Sequence, residues 1–128
     1  MAMREIGITA FFDLRNALET TLETRARNLS KNAVVTADQS LQTDIICAAQ
    51  WILHAGFELM HLENDFFGDA WTKGLSKTTE LWDGEPGFSR NRWKFWAKRF
   101  GESAIDGEAR EVGEEAARVI RTNLGENT

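Results

Sequence analysis

The chain has 128 residues, with fifteen Lys and Arg against twenty Asp and Glu, for a formal net charge of −5. That length suits one domain able to bury a hydrophobic core, and the acidic balance argues against a phosphate backbone as partner. Cys47 is the only cysteine, so an intrachain disulfide is excluded, and no apolar run is long enough to span a bilayer.

Eight Phe and five Trp with no Tyr make large rings the main cohesive material. From Arg4 to Lys31, Phe11, Leu14, Leu18, Leu22, Ala26 and Leu29 recur every three or four residues. This spacing predicts one long amphipathic helix, beginning near Thr9, with Glu19 and Glu23 outside its apolar row. A turn follows at 31–36, where Thr36 or Asp38 is placed to cap the next helix.

Between Asp38 and Glu63, Leu41, Ile45, Ala48, Ile52, Ala55 and Leu59 repeat the spacing, and Ile46, Leu53, Phe57 and Met60 widen the apolar sector. Such breadth predicts a central helix. Its small residues, Ala48, Ala49, Ala55 and Gly56, are expected to admit a neighbouring helix or a large ring such as Trp93 or Trp96, with room for a ligand as the competing reading. Cys47 reads as a small buried hydrophobe.

The stretch 64–81 is less regular and reads as short helical turns around Phe66, Phe67, Trp71 and Leu75. Glu85-Pro86-Gly87-Phe88 reads as a tight turn, and Ser89 as the N-cap of a helix through Phe100 that Gly101 ends. A last helix is expected from Asp106 to Leu124. The expectation is an all-α, compact helical domain over 1–128, with four main helices plus short turns and frayed ends at 1–8 and 125–128.

Trp82 to Phe100 resembles a W-x-G-x-P-G-F-S-x-x-R-W-x-F-W-x-x-R-F signature of an uncharacterised protein family of filamentous fungi. Asp13-Leu14-Arg15-Asn16-Ala17-Leu18-Glu19 and Ala48-Ala49-Gln50-Trp51-Ile52-Leu53-His54-Ala55-Gly56 are similar to two further segments of that family. Together they reach from Phe11 to Phe100. Family members carry more sequence ahead of the first segment, which implies a trimmed chain here or a short member whose exposed first helix needs a partner. The resemblance implies no activity.

Among chemistry-bearing residues, His54, Glu58 and His61 stack along one side of the second helix, where imidazole and carboxylate can bind a metal or relay a proton. Two histidines are too few for a di-metal bundle, and the bland reading makes them helix-edge groups. Arg92 is expected inward, paired with Glu58 or orienting an anionic ligand, and one or two guanidiniums over indole faces or paired with Asp83 and Glu85.

No nucleophile elbow, phosphate loop, zinc-spaced cysteine set or EF-hand is present, so no catalytic residue, metal or cofactor is assigned. The leading expectation is a non-enzymatic protein-interaction module, intracellular and self-associating through the first or last helix, with no nucleic acid or membrane partner. The alternative is a small-molecule pocket walled by Trp51, Phe57, Trp93 and Trp96 and anchored by His54, Glu58, His61 or Arg92.

Overall fold

The computed structural model describes residues 3–61, 79–84, 88–103 and 107–125. The expected turns around Phe66, Phe67, Trp71 and Leu75 and most of the Glu85-Pro86-Gly87-Phe88 turn lie outside them. Five helices pack together: α1 Met3–Leu18, α2 Leu22–Asn28, α3 Ala37–Met60, α4 Arg90–Ser103 and α5 Gly107–Asn123. The fold is all-α, and none of the described helices is long and apolar enough to cross a membrane.

The predicted first helix is two. Phe11, Leu14 and Leu18 are buried as their spacing requires, but the chain leaves the helix after Leu18 and restarts after Thr21. Thr21 is extended, and its hydroxyl accepts from the Thr24 amide at 3.1 Å, capping α2. The carbonyls left free at the end of α1 are taken by side chains. Asn16 O accepts from the Thr20 hydroxyl and from Arg25, and Leu18 O accepts from Arg99 Nε at 2.9 Å. Glu19 consequently turns inward and is fully buried, against its expected place outside the apolar row.

α3 starts in a reciprocal capping box: Thr36 Oγ1 accepts from the Gln39 amide and Gln39 Oε1 from the Thr36 amide. It touches each of the other four helices and is central, as expected. Its cover is different. α5 runs along it, with α1 and α2 on other sides, whereas α4 packs mainly on α5 and α1 and meets α3 only narrowly. The small residue Gly56 admits Val119 of α5, whose Cγ1 lies 3.3 Å from where a Cβ would stand, and not an indole. Ala55, just before it, leaves helical geometry at φ −144° and ψ 18°, which kinks α3 there. Cys47 is exposed and not a core residue, because it falls outside the Ile45, Ala48, Ala49, Ile52 row that is buried.

Ser89 caps α4 as read from the sequence, its hydroxyl accepting from the Arg92 amide at 3.1 Å. Gly101 does not end the helix, which continues to Ser103. α4 and α5 are antiparallel neighbours, joined at one end by Arg90 Nη2 donating to Leu124 O at 2.7 Å, a cation at a helix C-terminus. Gly125, with φ +80°, takes the left-handed position just past that terminus.

Two glycines test this packing with opposite signs. Gly101→Ala meets nothing within 4 Å and is expected to stabilise by up to about 1 kcal/mol from helix propensity. Gly56→Val must displace Val119 and is expected to cost about 1–3 kcal/mol. Urea unfolding of both variants measures the two signs.

Candidate functional site

α4 presents Arg92, Trp93, Trp96, Ala97 and Phe100 to the interior, all buried. The rings make a collar with Phe11 of α1 and Phe88. Phe88 stacks on Trp93 at 5.3 Å between centroids, Trp93 meets Trp96 edge-on at 4.9 Å, and Phe11 lies edge-on to Phe88 and Trp96 at 5.4 and 6.0 Å. Such geometries add about 0.5–1.5 kcal/mol per pair beyond area burial.

Inside the collar lies the one carboxylate the helix break turned inward. Glu19 accepts from Arg92 Nε and Nη2 at 2.8 and 2.7 Å, from Trp96 Nε1 at 2.6 Å and from the Thr79 hydroxyl at 2.7 Å. Both ends of the Glu19–Arg92 pair are fully buried. Arg92 is also held over rings, its guanidinium carbon 4.9 Å from the centroid of Phe11, 5.4 Å from that of Trp96 and 5.9 Å from that of Trp82. Among the described residues, its Nη1 is buried with no hydrogen-bond partner.

A strap at 79–82 closes the cluster. Thr79 and Trp82 bond each other across it, with Trp82 O accepting from the Thr79 amide and Thr79 Oγ1 from the Trp82 amide. Trp82 leans on Phe95 at 5.2 Å. Glu80 latches the strap to the start of α2, accepting from the Thr24 hydroxyl at 2.6 Å and from the Thr21 amide. The Thr24 bond first, then the Thr21 bonds and the more distant charge of Arg27, hold the Glu80 carboxyl below its ordinary value. Burial pulls the Arg15 guanidinium below its usual range; Glu19 opposes this and Arg92 adds to it.

Two surface hollows flank this region. One of about 330 Å³ is lined by Leu22, Leu41 and Leu81, with Arg99, Glu102, Thr20 and Thr21 at its edges. The other, of about 250 Å³, is polar and surrounds Arg25, which makes four hydrogen bonds: it donates to Asp44 at 2.6 Å, Ser40 at 3.2 Å, Thr20 at 3.1 Å and the Asn16 carbonyl.

The residues singled out from sequence fall into separate places. Trp93, Trp96 and Arg92 meet in the collar, but the acid beside Arg92 is Glu19 and not Glu58. Trp51 stands apart from the collar contacts, its Nε1 donating to Asp13 at 2.7 Å and bracing α3 against α1. His54, Glu58 and His61 are exposed. His54 pairs with Gln50 and His61 with the Phe57 carbonyl, one helical turn back in each case. Among the described residues, no group of three or more His, Cys, Asp or Glu is placed to hold a metal. Glu19 and Thr79 were missed; the available signal was the run Glu19-Thr20-Thr21, where two β-branched threonines weaken a helix and Thr21 can cap another.

The family model described as Protein of unknown function (DUF3632) matches residues 2–100. The chain belongs to this family. The match holds Glu19, the strap and the collar together and stops at Phe100, so α5 lies past the matched residues of this DUF3632 member. No curated protein and no solved structure matches the chain.

Removing one partner of the buried pair strands the other charge, so Glu19→Leu or Arg92→Met alone should cost about 3–5 kcal/mol in denaturant unfolding, and the double variant Glu19→Leu/Arg92→Met less than the two added. The latch has its own signature. A depressed carboxyl contributes above its unfolded value and is lost as pH falls through the folded one. Hydrogen exchange at the strap amides, corrected for the intrinsic rate, should therefore lose protection as pH falls below the ordinary glutamate range, and Glu80→Gln should flatten that change.

Proposed function

We propose that this DUF3632 member is a helical protein-interaction module that associates with a second copy of itself through the hairpin of α2 and the turn into α3. What supports the reading is where large apolar side chains remain outside. The rows of α1 and α5 are spent inside the fold, whereas Val34 is 97% exposed, Val35 46% and Leu22 44%. Scattered exposed residues need no explanation, but these three fall within fourteen residues of sequence.

They also differ in shape. Val34 and Val35 form an uncapped apolar tip on the turn before α3, and Leu22 opens the apolar hollow shared with Leu41 and Leu81. About 330 Å³ is roughly twice the cavity that takes up a benzene, so the hollow is sized for a pair of aliphatic side chains. Arg99 and Glu102 at its edge lie close to each other, 3.8 Å between Nη1 and the nearer carboxylate oxygen, which leaves the edge without a preferred charge. A neutral apolar tip suits it. In a two-fold pair each tip enters the other's hollow, so both are buried at once and the contact closes.

The fungal origin that the signature implies, and an intracellular setting, belong to the same proposal; an exposed lone thiol at Cys47 suits a reducing compartment. Phe57, 61% exposed and packed on His61 at 4.2 Å, is a second, smaller apolar feature at the far end of α3.

Light scattering across a concentration series tests the proposal. The expected result is a dimer that dissociates on dilution, with Val34→Asp and Leu22→Asp each shifting the midpoint at least about tenfold while the helical circular dichroism stays unchanged. A monomer at every concentration, or a dimer indifferent to both substitutions, overturns it.

A further inference from the structure

Among the described residues, the buried cluster is one negative charge short. Glu19 is the only carboxylate bonded to Arg92 among the described residues, and Arg15 stands beside the pair as a second guanidinium. Arg15 is half-buried over Phe12 and Phe11, at 4.5 and 5.6 Å from their centroids, and no carboxylate or carbonyl bonds its guanidinium among the described residues. Phe11 thus carries Arg15 and Arg92 near one ring, the latter at 4.9 Å. The Nη1 of Arg92 is wholly buried and unpartnered there. A buried N–H on a charged group with no acceptor is costly, and a ring face replaces only part of what an oxygen supplies.

We propose that a small organic carboxylate binds between Arg15 and Arg92, beside Phe11 and Phe12, when the 79–82 strap swings aside. A single monoanion brings the cluster of two guanidiniums and Glu19 to neutrality, and its two oxygens give Nη1 of Arg92 and the fork of Arg15 the acceptors they lack among the described residues. Entry is gated by the strap, because Trp82 lies over the Arg92 guanidinium and Thr79 is bonded to Glu19. The strap is held on its outer side by the Glu80 latch. Since only the opened form accepts the anion, the apparent affinity is the intrinsic one reduced by the open fraction. Loosening the latch must therefore tighten binding.

The test is titration of ¹⁵N-labelled protein with sodium acetate, against sodium chloride at matched ionic strength, following the indole N–H resonances of Trp82 and Trp96. The expected result is a saturable acetate shift that chloride does not produce. Arg15→Gln should weaken it at least about tenfold, the loss of one charge-assisted contact. Arg15→Lys, which keeps the charge, should weaken it less, and Glu80→Gln should strengthen it. A shift that is linear in acetate, equal in chloride, or insensitive to Arg15→Gln in protein that retains its helical spectrum overturns the proposal. Weaker binding in Glu80→Gln overturns the gating. These readouts use the monomer at low concentration and stand apart from self-association.

Discussion

A carboxylate withdrawn completely from water must be met by donors on every side, and that requirement at Glu19 organises much of this molecule. Its four hydrogen bonds come from two places far along the chain, Arg92 and Trp96 on α4 and Thr79 on the strap. Satisfying them pins the end of α1 to the middle of α4 and draws the strap across the gap. The same turn that delivers the carboxylate strips α1 of its last-turn partners, and Thr20, Arg25 and Arg99 fill those places. The break between α1 and α2 and the burial of Glu19 are thus two aspects of one solution. A continuous helix would keep its backbone bonded but leave Arg92 buried without an anion.

The strap has two sides, and they face different chemistry. Inward, Thr79 completes the shell of Glu19 and Trp82 covers Arg92. Outward, Leu81 walls the apolar hollow with Leu22 and Leu41. On the two proposals made above, an anion that moves the strap also moves a wall of the docking hollow. Linkage then requires the reverse effect of equal size, so a copy seated against Leu81 disfavours the opened strap. The latch, carried by an exposed carboxylate on two α2 donors, is weak enough to serve as the element both ligands bias.

The helices were legible because burying one face imposes a 3.6-residue period whatever the partner. Phe11, Leu14 and Leu18, the Leu41 to Leu59 row, Trp93, Trp96 and Phe100, and Ala109, Ala116 and Ile120 all face inward as their spacing demands. Caps were legible too, since Thr36 and Ser89 act within three residues of themselves. What could not be read depends on contacts far apart in sequence. Periodicity continues smoothly through Glu19, and only a guanidinium 73 residues later makes leaving the helix worthwhile. Likewise the small residues near Gly56 announce a close neighbour without naming it, and Val119 proved the better fit than an indole. His54, Glu58 and His61 share a helix side, but in a helix already covered on its other faces that side is the one left to solvent.

A buried ion pair is a poor way to gain stability, since desolvating both charges offsets most of their attraction. Its use here is better sought in the choice among packings. Phe11, Phe88, Trp93 and Trp96 are flat rings of similar size, and a collar of such rings has several arrangements of comparable energy. Sliding α4 by one turn against α1 would exchange one ring for another at little cost in apolar area. It would also carry Arg92 away from Glu19 and take the indole N–H of Trp96 from its acceptor, leaving three buried polar groups stranded together. Each stranded group costs about 1–3 kcal/mol, and charged ones more, which exceeds what ring repacking returns. The aromatic residues thus supply cohesion without direction, and the single carboxylate at the end of α1 selects the register in which they lock.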